Sequence, residues 1–528
     1  MIKKLLSKLE QTLKDGDVNE AKKIIAKIHK RPQMPEVYLD IALYCINAKL
    51  WDVAKYNFEK ATQEKPELCL QLTLWLDKEP LSDTHHKALE LLNIAKSYLP
   101  DNQHLTLAEA AISNRMDRFE HSMPLYEAIL ADPQSIYHFN ALLGLNEAYF
   151  KTNRYHDAVG AGLMALQLQP DNITANFQLG LTYMAIENDA ECVEYLAKVI
   201  NANPDHLGAH INLAHIMLKL GLFDEGWQHH EWRFHESMKN IANFNLPMPR
   251  WYNEDIKGKH LFVWVDQGLG DQVMYCSLIG RLIDSGVRVT IMAERRLRKV
   301  FMDSFDIEDF FAFDREGIKE MTASDALYHY HTPMGTLPAF FIHSFDDFKQ
   351  GEAYLKTDQA MGEQFRTELQ QLFPGKTLVG FGWRGGIAAT RNHARRIDIE
   401  LLSPLFEKQG FQFINFQYDA TDEEKAQLAE RGVYTPDINL RIDINTVLAY
   451  MSALDLYITA DNTNAHFAGA IGLPVWNLIP VAAEWRWFTD EKKSYWYKSM
   501  VLYRQKEIDR WDDVVADVGT DLEHFVTE

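Results

Sequence analysis

Six prolines, at positions 32, 66, 100, 133, 170 and 204, follow one another at intervals of 34, 34, 33, 37 and 34 residues. A proline cannot continue a helix, because it lacks the N–H and its ring clashes with the preceding turn. The stretch before about residue 240 is thereby cut into short units, each long enough for two helices. Most of these prolines lead into an acidic or amide residue: Pro66-Glu67, Pro100-Asp101-Asn102, Pro133-Gln134, Pro170-Asp171-Asn172. Small residues recur where such helices would cross, as at Gly180 in Asn176-Phe-Gln-Leu-Gly180-Leu-Thr-Tyr183. One helical hairpin cannot bury its apolar face alone, so units of this kind must stack on their neighbours.

A 34-residue period with a helix-ending proline resembles the tetratricopeptide repeat. The resemblance covers roughly residues 2–237, about seven hairpins, and implies an α-solenoid whose concave face holds a peptide or a helical segment of another protein. The alternative is that the array only joins two copies of the chain as a homo-oligomer, or props up the C-terminal half. Gly221 to Phe234, rich in aromatic residues, reads as the seal at the array's end. Residues 1–240 are thus assigned to the array. Residues 241–258, with Pro247, Pro249 and Gly258, break the helical pattern and read as a linker.

At 528 residues, the chain is too long for a single core. Its formal net charge of −21 argues against nucleic acid or an anionic membrane as a main partner. Four cysteines without CxxC or zinc spacing suit a reducing compartment. The charged N-terminus does not read as a signal peptide, and no apolar run reaches the ~18 residues of a membrane span. These features point to a cytoplasmic protein.

From residue 260 the period changes. Strands are expected at His260–Val265, Val287–Ala293, Asp309–Phe313 and Ala326–Tyr330. A second series is expected at Lys376–Trp383, Phe411–Phe416, Gly432–Tyr434, Asp455–Thr459 and Pro474–Leu478. Helical patterns alternate with both series, which implies two lobes with mainly parallel sheets. The lobes are assigned to 259–374 and 375–500. Residues 501–528 are expected to form a helix lying back across the first lobe.

One local signature is written twice. His260–Val265 stops at Asp266 and gives way to Gln267-Gly268-Leu269-Gly270-Asp271; Asp455–Thr459 gives way to Asp461-Asn462-Thr463-Asn464-Ala465-His466. Each reads as a buried strand, a tight polar turn and a helix start, the place where parallel sheets bind ligands. Gly268-Leu-Gly270 alone would also suit a dinucleotide, but Val273 stands at the third glycine position and a second lobe would then have no role.

Transfer of a sugar from a nucleotide fits better. It needs N–H donors and cations for the leaving phosphate and a base for the acceptor hydroxyl. The helix start at Asp461, with Asn462, Thr463 and Asn464 as side-chain donors, is the expected phosphate site. Arg384, Arg391, Arg395 and Arg396 cluster after the strand ending at Trp383; the alternative for such a run is a solvated loop. Asp271 is the candidate base, or else a helix cap. His466 either faces the same cleft or packs the helix. Gln417 is read as a nucleoside contact. His329 and His331 are read as acceptor-side residues, either of which could replace Asp271 as base. Gly268 and Gly270 let backbone and substrate approach closely.

At these residues a second resemblance appears. Gln267-Gly-Leu-Gly-Asp271 resembles the first-lobe motif of heptosyltransferase-like enzymes, and Asp461-Asn-Thr-Asn-Ala-His466 their second-lobe donor motif. With Gly472-Leu-Pro-Val-Trp476, Trp485-Arg-Trp487, Tyr495-Trp-Tyr497 and Arg504-Gln505, the chain is similar to bacterial tetratricopeptide proteins carrying a C-terminal glycosyltransferase domain. Some of those glycosylate flagellin. The resemblance implies a GT-B fold and an inverting transferase without metal or other cofactor, with Asp271 catalytic and Asp461 and His466 in the donor site. It also implies a Ser/Thr acceptor on a flagellin-like protein gripped by the repeats. A nonulosonic acid such as pseudaminic acid would be the sugar, carried on CMP; UDP- or GDP-sugars fit nearly as well. The usual Asp-Thr pair is Asp461-Asn462 here, and Arg384 stands where a lysine is conventional, which speaks against an ADP-heptose donor. The other readings are a repeat scaffold with a degenerate transferase domain and a lipopolysaccharide-type glycosyltransferase.

Overall fold

The computed structural model describes residues 2–30, 33–71, 85–236, 246–324, 326–348, 353–385, 395–508 and 510–525. The chain divides into two compact units, Met1–Pro204 and Asp205–Glu528.

The described part of the first unit is helical. It contains the hairpins Ile2–Lys14 with Val18–Ile28, Pro35–Asn47 with Trp51–Glu64, Gln103–Arg115 with Phe119–Leu130, His138–Lys151 with Tyr155–Leu168, and Ile173–Ala185 with Asp189–Ala202. The residues after the prolines act as caps. Asn102 Oδ1 accepts from Leu105 N at 3.2 Å, and Asn172 Oδ1 from Ala175 N at 3.1 Å. Each satisfies an N–H that the first helical turn would otherwise leave unpaired. Gly180 lets its helix approach the partner closely, since a Cβ there would stand 2.8 Å from Leu196 Cδ2. The turn inside a hairpin places Asp117, Asn153 and Glu187 at φ of 54°, 60° and 57°. That left-handed conformation normally favours glycine.

The second unit begins earlier than the sequence pattern suggests. The helices Leu207–Lys219 and Phe223–His230, which the proline spacing assigns to the repeat array, belong to this compact unit. Phe223 and Trp227 are buried in its core. The Phe223 ring lies 5.2 Å from Phe345 and 5.9 Å from Phe488, and Trp227 Nε1 donates to the Ile342 carbonyl at 2.9 Å. These aromatic contacts tie the hairpin to the second unit.

Two parallel sheets complete the second unit. The first contains β1 (His260–Trp264), β2 (Arg288–Ala293), β3 (Asp309–Ala312) and β4 (Tyr330–Pro333), in the order β3-β2-β1-β4. The second contains β5 (Thr377–Gly382), β6 (Phe411–Asn415), β7 (Leu456–Ala460), β8 (Val475–Ile479) and β9 (Met500–Arg504), in the order β6-β5-β7-β8-β9. β1 and β7 are central in their sheets and buried along their whole length, which explains their mostly apolar runs.

The fold departs from the sequence expectations at several elements. β4 forms at Tyr330–Pro333 rather than Ala326–Tyr330. Gly432–Tyr434 contributes one isolated bridge, Ile414 to Tyr434, in place of a strand. β9 has no counterpart in the sequence pattern, and it redirects the C-terminus. The helix Asp512–Glu523 lies on the second sheet's lobe, not across the first: Val514, Val515, Val518 and Leu522 join the core of Val379, Leu405 and Tyr503. Tyr503 Oη donates to Asp521 at 2.7 Å. Gln359–Leu372 likewise packs on the second lobe. Arg366 donates to Asp455 Oδ1 and to the Ala453 carbonyl, each at 2.8 Å, so that lobe begins before residue 375. Among the described residues, no helix is long and apolar enough to cross a membrane.

Candidate active site

Both strand–turn–helix signatures form, and they meet. Beyond β1, the turn through Gly268 opens the helix Leu269–Cys276; beyond β7, Asp461 and Asn462 open the helix Thr463–Ala470. The two helices cross where Gly270 faces His466: a Cβ at Gly270 would stand 2.9 Å from His466 Cδ2. Gly270 therefore makes room for a histidine of the other lobe, where the sequence suggested room for substrate. At Gly268, a Cβ would stand 3.3 Å from Asp271 Oδ2.

Beside this crossing lies a cavity of about 500 Å³ lined by both turns, from Gly268 to Asp271 and from Asp461 to Asn464, and by His466. Arg296, Arg395, Arg441 and Arg486 line it, against the carboxylates Asp271, Asp461 and Glu484. Four guanidinium groups in one concave site of an acidic chain form a local anion site. Tyr418 and Ile444 add apolar wall, with the Arg441 guanidinium 5.3 Å from the Tyr418 ring centre.

Asp271 stands in the first turn of its helix. One carboxylate oxygen accepts from Arg486 Nη2 at 2.7 Å, and the two side chains are 18% and 14% exposed. Burial pushes the Asp271 carboxyl above the usual range; Arg486 opposes this, while Glu484 and Asp266 add to it. A raised carboxylate is a better proton acceptor near neutral pH. Arg486 Nε is buried without a hydrogen-bond partner among the described residues.

Asp461 is 2% exposed. Its Oδ2 makes no hydrogen bond of ordinary geometry among the described residues, and Arg395 Nη1 is 3.8 Å away. Burial raises this carboxyl too, with Arg395 and then Arg486 opposing. His466 is buried, its Nδ1 2.8 Å from the Tyr497 hydroxyl and its ring 5.3 Å from Trp487 in a stacked arrangement. Burial, with Arg486 and Arg395 nearby, holds the imidazole far below its ordinary pKa and hence neutral. It packs the helix crossing and also lines the cavity, so both sequence readings of His466 apply.

The structure reassigns other expected residues. Asn462 Oδ1 accepts from Asn464 N and Ala465 N at 2.9 and 3.2 Å. Two of the N–H groups expected to meet a phosphate are therefore already capped by the protein. Asn464 Nδ2 donates to the Phe416 carbonyl, which spends it on structure. Thr463 lines the cavity. Arg384 is committed to carboxylates, donating to Asp419 Oδ1 at 3.1 Å and to both oxygens of Glu424, and it is not among the cavity residues. Arg396 is exposed, and its charge is felt at Glu424. Of the cluster after β5, Arg395 alone of the described members reaches the cavity; Arg391 lies outside the described residues.

Gln417 is not among the residues that line the cavity. Its Oε1 accepts from Trp383 N and Arg384 N, and its Nε2 donates to the Arg384 carbonyl, tying down the loop after β5. His331 is buried under β1 and accepts from Trp264 Nε1 at 3.0 Å; burial pushes it down to about 4. His329 Nδ1 accepts from His260 N at 3.2 Å. Both histidines are thus part of the first sheet's framework and neither lines the cavity, because β4 starts four residues later than expected and pairs with β1 at this point.

Sequence reasoning missed Arg486, Glu484, Arg296 and Arg441. Arg486 had one readable signal: a charge set between two tryptophans, Trp485 and Trp487, that are themselves buried. Arg296 and Arg441 had none, since only the fold brings them together, with Arg296 Nη1 donating to the Arg441 carbonyl at 2.5 Å. Among the described residues, no three His, Cys, Asp or Glu side chains are grouped as a metal site would require.

No family model matches the chain. It is similar to Protein FlbA of Caulobacter vibrioides, 27% identical over 327 residues, which cover 59% of this chain and 54% of that protein. The chain thus spans about half the length of that curated relative. Among solved structures, a glycosyl transferase family 9 protein from Veillonella parvula aligns with 52% of this chain and 92% of its own, at 13% identity and a TM-score of 0.37. PilW, a type IV pilus biogenesis factor, aligns with 39% of this chain and 98% of its own, at 18% identity and a TM-score of 0.33.

Proposed function

We propose that the second unit is a glycosyltransferase that moves a sugar from a nucleotide-sugar to a hydroxyl of a protein acceptor. The observation that carries this reading is the facing of Asp271 on one turn by Arg395 and Asp461 on the other, across a cavity of about 500 Å³. A cavity of that size suits a nucleotide-sugar. The arginines hold the phosphate and stabilise the charge that grows on it as the sugar–phosphate bond breaks. Asp271 takes the proton of the acceptor hydroxyl as its oxygen bonds to the anomeric carbon. The electron pair of the broken bond leaves on the phosphate, so proton and charge balance without a metal ion. A hydroxyl that enters from the side opposite the leaving phosphate inverts the anomeric carbon. Arg486, Arg395, Arg296 and Arg441 fill the place that a divalent cation takes in other transferases.

Asp461 Oδ2, 3.8 Å from Arg395 Nη1 and without a hydrogen bond of ordinary geometry among the described residues, suits a hydroxyl donor on the sugar or ribose. For the acceptor we propose Ser/Thr of a flagellin-like protein recruited by the helical hairpins, and for the sugar a nonulosonic acid such as pseudaminic acid. A carboxylated sugar on a single phosphate would use the surplus of arginines.

The test is intact-mass spectrometry of proteins captured by the repeats, after incubation with nucleotide-sugars and either the wild-type chain or Asp271→Asn. The wild type is expected to add one sugar mass. The variant should do so about 10²–10⁴-fold more slowly, the usual worth of a general base. Equal rates would remove Asp271 as the base, and no mass increment with any nucleotide-sugar would remove the transferase reading.

A further inference from the structure

Arg486 is placed between two anion positions, the Asp271 carboxylate and a phosphate in the cavity. It sits in the short turn Trp485–Trp487 between β8 and β9, whereas Asp271 sits on the helix after β1, so their contact at 2.7 Å joins the two lobes. Only one end of the guanidinium is engaged there. Nη2 meets Asp271 Oδ1, while Nε is buried with no hydrogen-bond partner among the described residues. A guanidinium presents its donors as a planar fork, and a phosphate takes two of them side by side. An unpaired buried Nε is a cost that turning the guanidinium onto a phosphate would remove. Around Asp271 stand Glu484, Asp266, Tyr275 and Tyr497, with Arg233 beside Asp266, and Arg296, Arg395, Arg441 and His466 line the same cavity. Among the described residues, Arg486 is the cation in ion-pair distance of the Asp271 carboxylate.

We propose that Arg486 is a shared cation, pairing with Asp271 until a phosphate enters the cavity and then passing to the phosphate, so that donor binding itself releases the base. This rests on the reading of the cavity as a nucleotide-sugar site. The release has a chemical consequence. Arg486 beside it partly offsets the effect of burial on the Asp271 carboxyl; without Arg486, burial and the neighbouring acids raise its proton affinity further. The acceptor hydroxyl thus meets its strongest base only when the donor is in place. By linkage, weakening the hold of Asp271 on Arg486 strengthens phosphate binding.

The experiment is a double-mutant cycle read by calorimetry on the full chain, titrating a panel of nucleoside mono- and diphosphates of adenine, cytosine, guanine and uracil. For the tightest of these, Asp271→Asn should bind about tenfold more tightly than wild type, and Arg486→Met about tenfold or more weakly, within the usual range of coupling between sites. The decisive expectation is that Asp271→Asn gives no gain in the Arg486→Met background. A gain that persists there would be a simple field effect and would overturn the proposal, as would the absence of any gain in the single variant. Arg486→Lys, which keeps the charge but not the fork, guards against misfolding: it should hold its thermal midpoint and still lose most of the coupling. Full coupling in Arg486→Lys would also overturn the fork argument. If no nucleotide binds any variant or the wild type, both this proposal and the nucleotide-sugar reading fail; binding without coupling sinks this proposal alone.

Discussion

Gly270→Ala is the most direct probe of how the two lobes are held together. An ideal Cβ at Gly270 stands 2.9 Å from His466 Cδ2 and 3.4 Å from His466 Nε2. The histidine has little room to step aside. It is 2% exposed, stacked 5.3 Å from Trp487 and hydrogen-bonded to the Tyr497 hydroxyl at 2.8 Å. Tyr497 in turn leans on Gly469, where a Cβ would stand 2.6 Å from its ring. The methyl group must therefore displace the helix Leu269–Cys276 or the imidazole. Overpacking of this kind costs about 1–3 kcal/mol, and alanine's advantage over glycine in a helix offsets about 0.5–1 kcal/mol of it. A net loss of roughly 0.5–2 kcal/mol corresponds to a drop of roughly 1–3 °C in the thermal midpoint of a unit as large as Asp205–Glu528. Gly280→Ala is the control. It lies in the helix Ile279–Asp284 with nothing within 4 Å of an ideal Cβ, so it should leave the midpoint unchanged or raise it slightly. Differential scanning calorimetry of the full chain reads both. A Gly270→Ala midpoint equal to or above wild type, with Gly280→Ala behaving as stated, would refute the close-crossing argument.

Three further outcomes are expected. Burial raises the Asp461 carboxyl above its unfolded value of about 3.9. The folded state therefore favours the protonated form, and the cost of ionising it is absent below about pH 4 and grows as pH rises through the raised value. Asp461→Asn should accordingly be more stable than wild type at pH 8 but not at pH 3 in urea titrations; a variant less stable at both would show that Arg395 outweighs burial. His331 is pushed the other way, down to about 4, so its contribution is intact above about pH 6.5 and is lost as pH falls toward 4. The loss is roughly 3 kcal/mol at about 1.4 kcal/mol per unit. His331→Gln, which can still accept from Trp264, should lose less stability than wild type between pH 7 and 4.5, and parallel curves for the two would refute this. Finally, Arg395→Ala should weaken nucleotide binding about tenfold, while Arg384→Ala should change it less than about threefold and instead cost about 1 kcal/mol of stability. The reverse order in calorimetry would restore the arginine-run reading of the sequence.

The elements were legible wherever a local rule decides them. A proline every 34 residues or so marks the ends of helical units however those units later pack, and Asn102 and Asn172 cap helices through bonds only three residues long. β1, β7 and β8 are mostly apolar runs because they are buried along their whole length, which a linear pattern records. β4 and β9 were misplaced or missed because short strands owe their existence to the neighbour they pair with. Gly432–Tyr434 failed as a strand for the same reason.

At the candidate site, the sequence by itself determined the two turns, with Asp271 and Asp461–His466 on them, since a strand end followed by a helix start is a local event. Only the tertiary structure decided which charges serve it. Arg384 and Arg395 look alike in the chain, yet one is held by Asp419 and Glu424 and the other faces Asp461. Arg486, some two hundred residues from Asp271, carried no sign of its partner. A charged side chain is defined by what surrounds it, because Coulomb energy and desolvation depend on distance and burial and not on order along the chain.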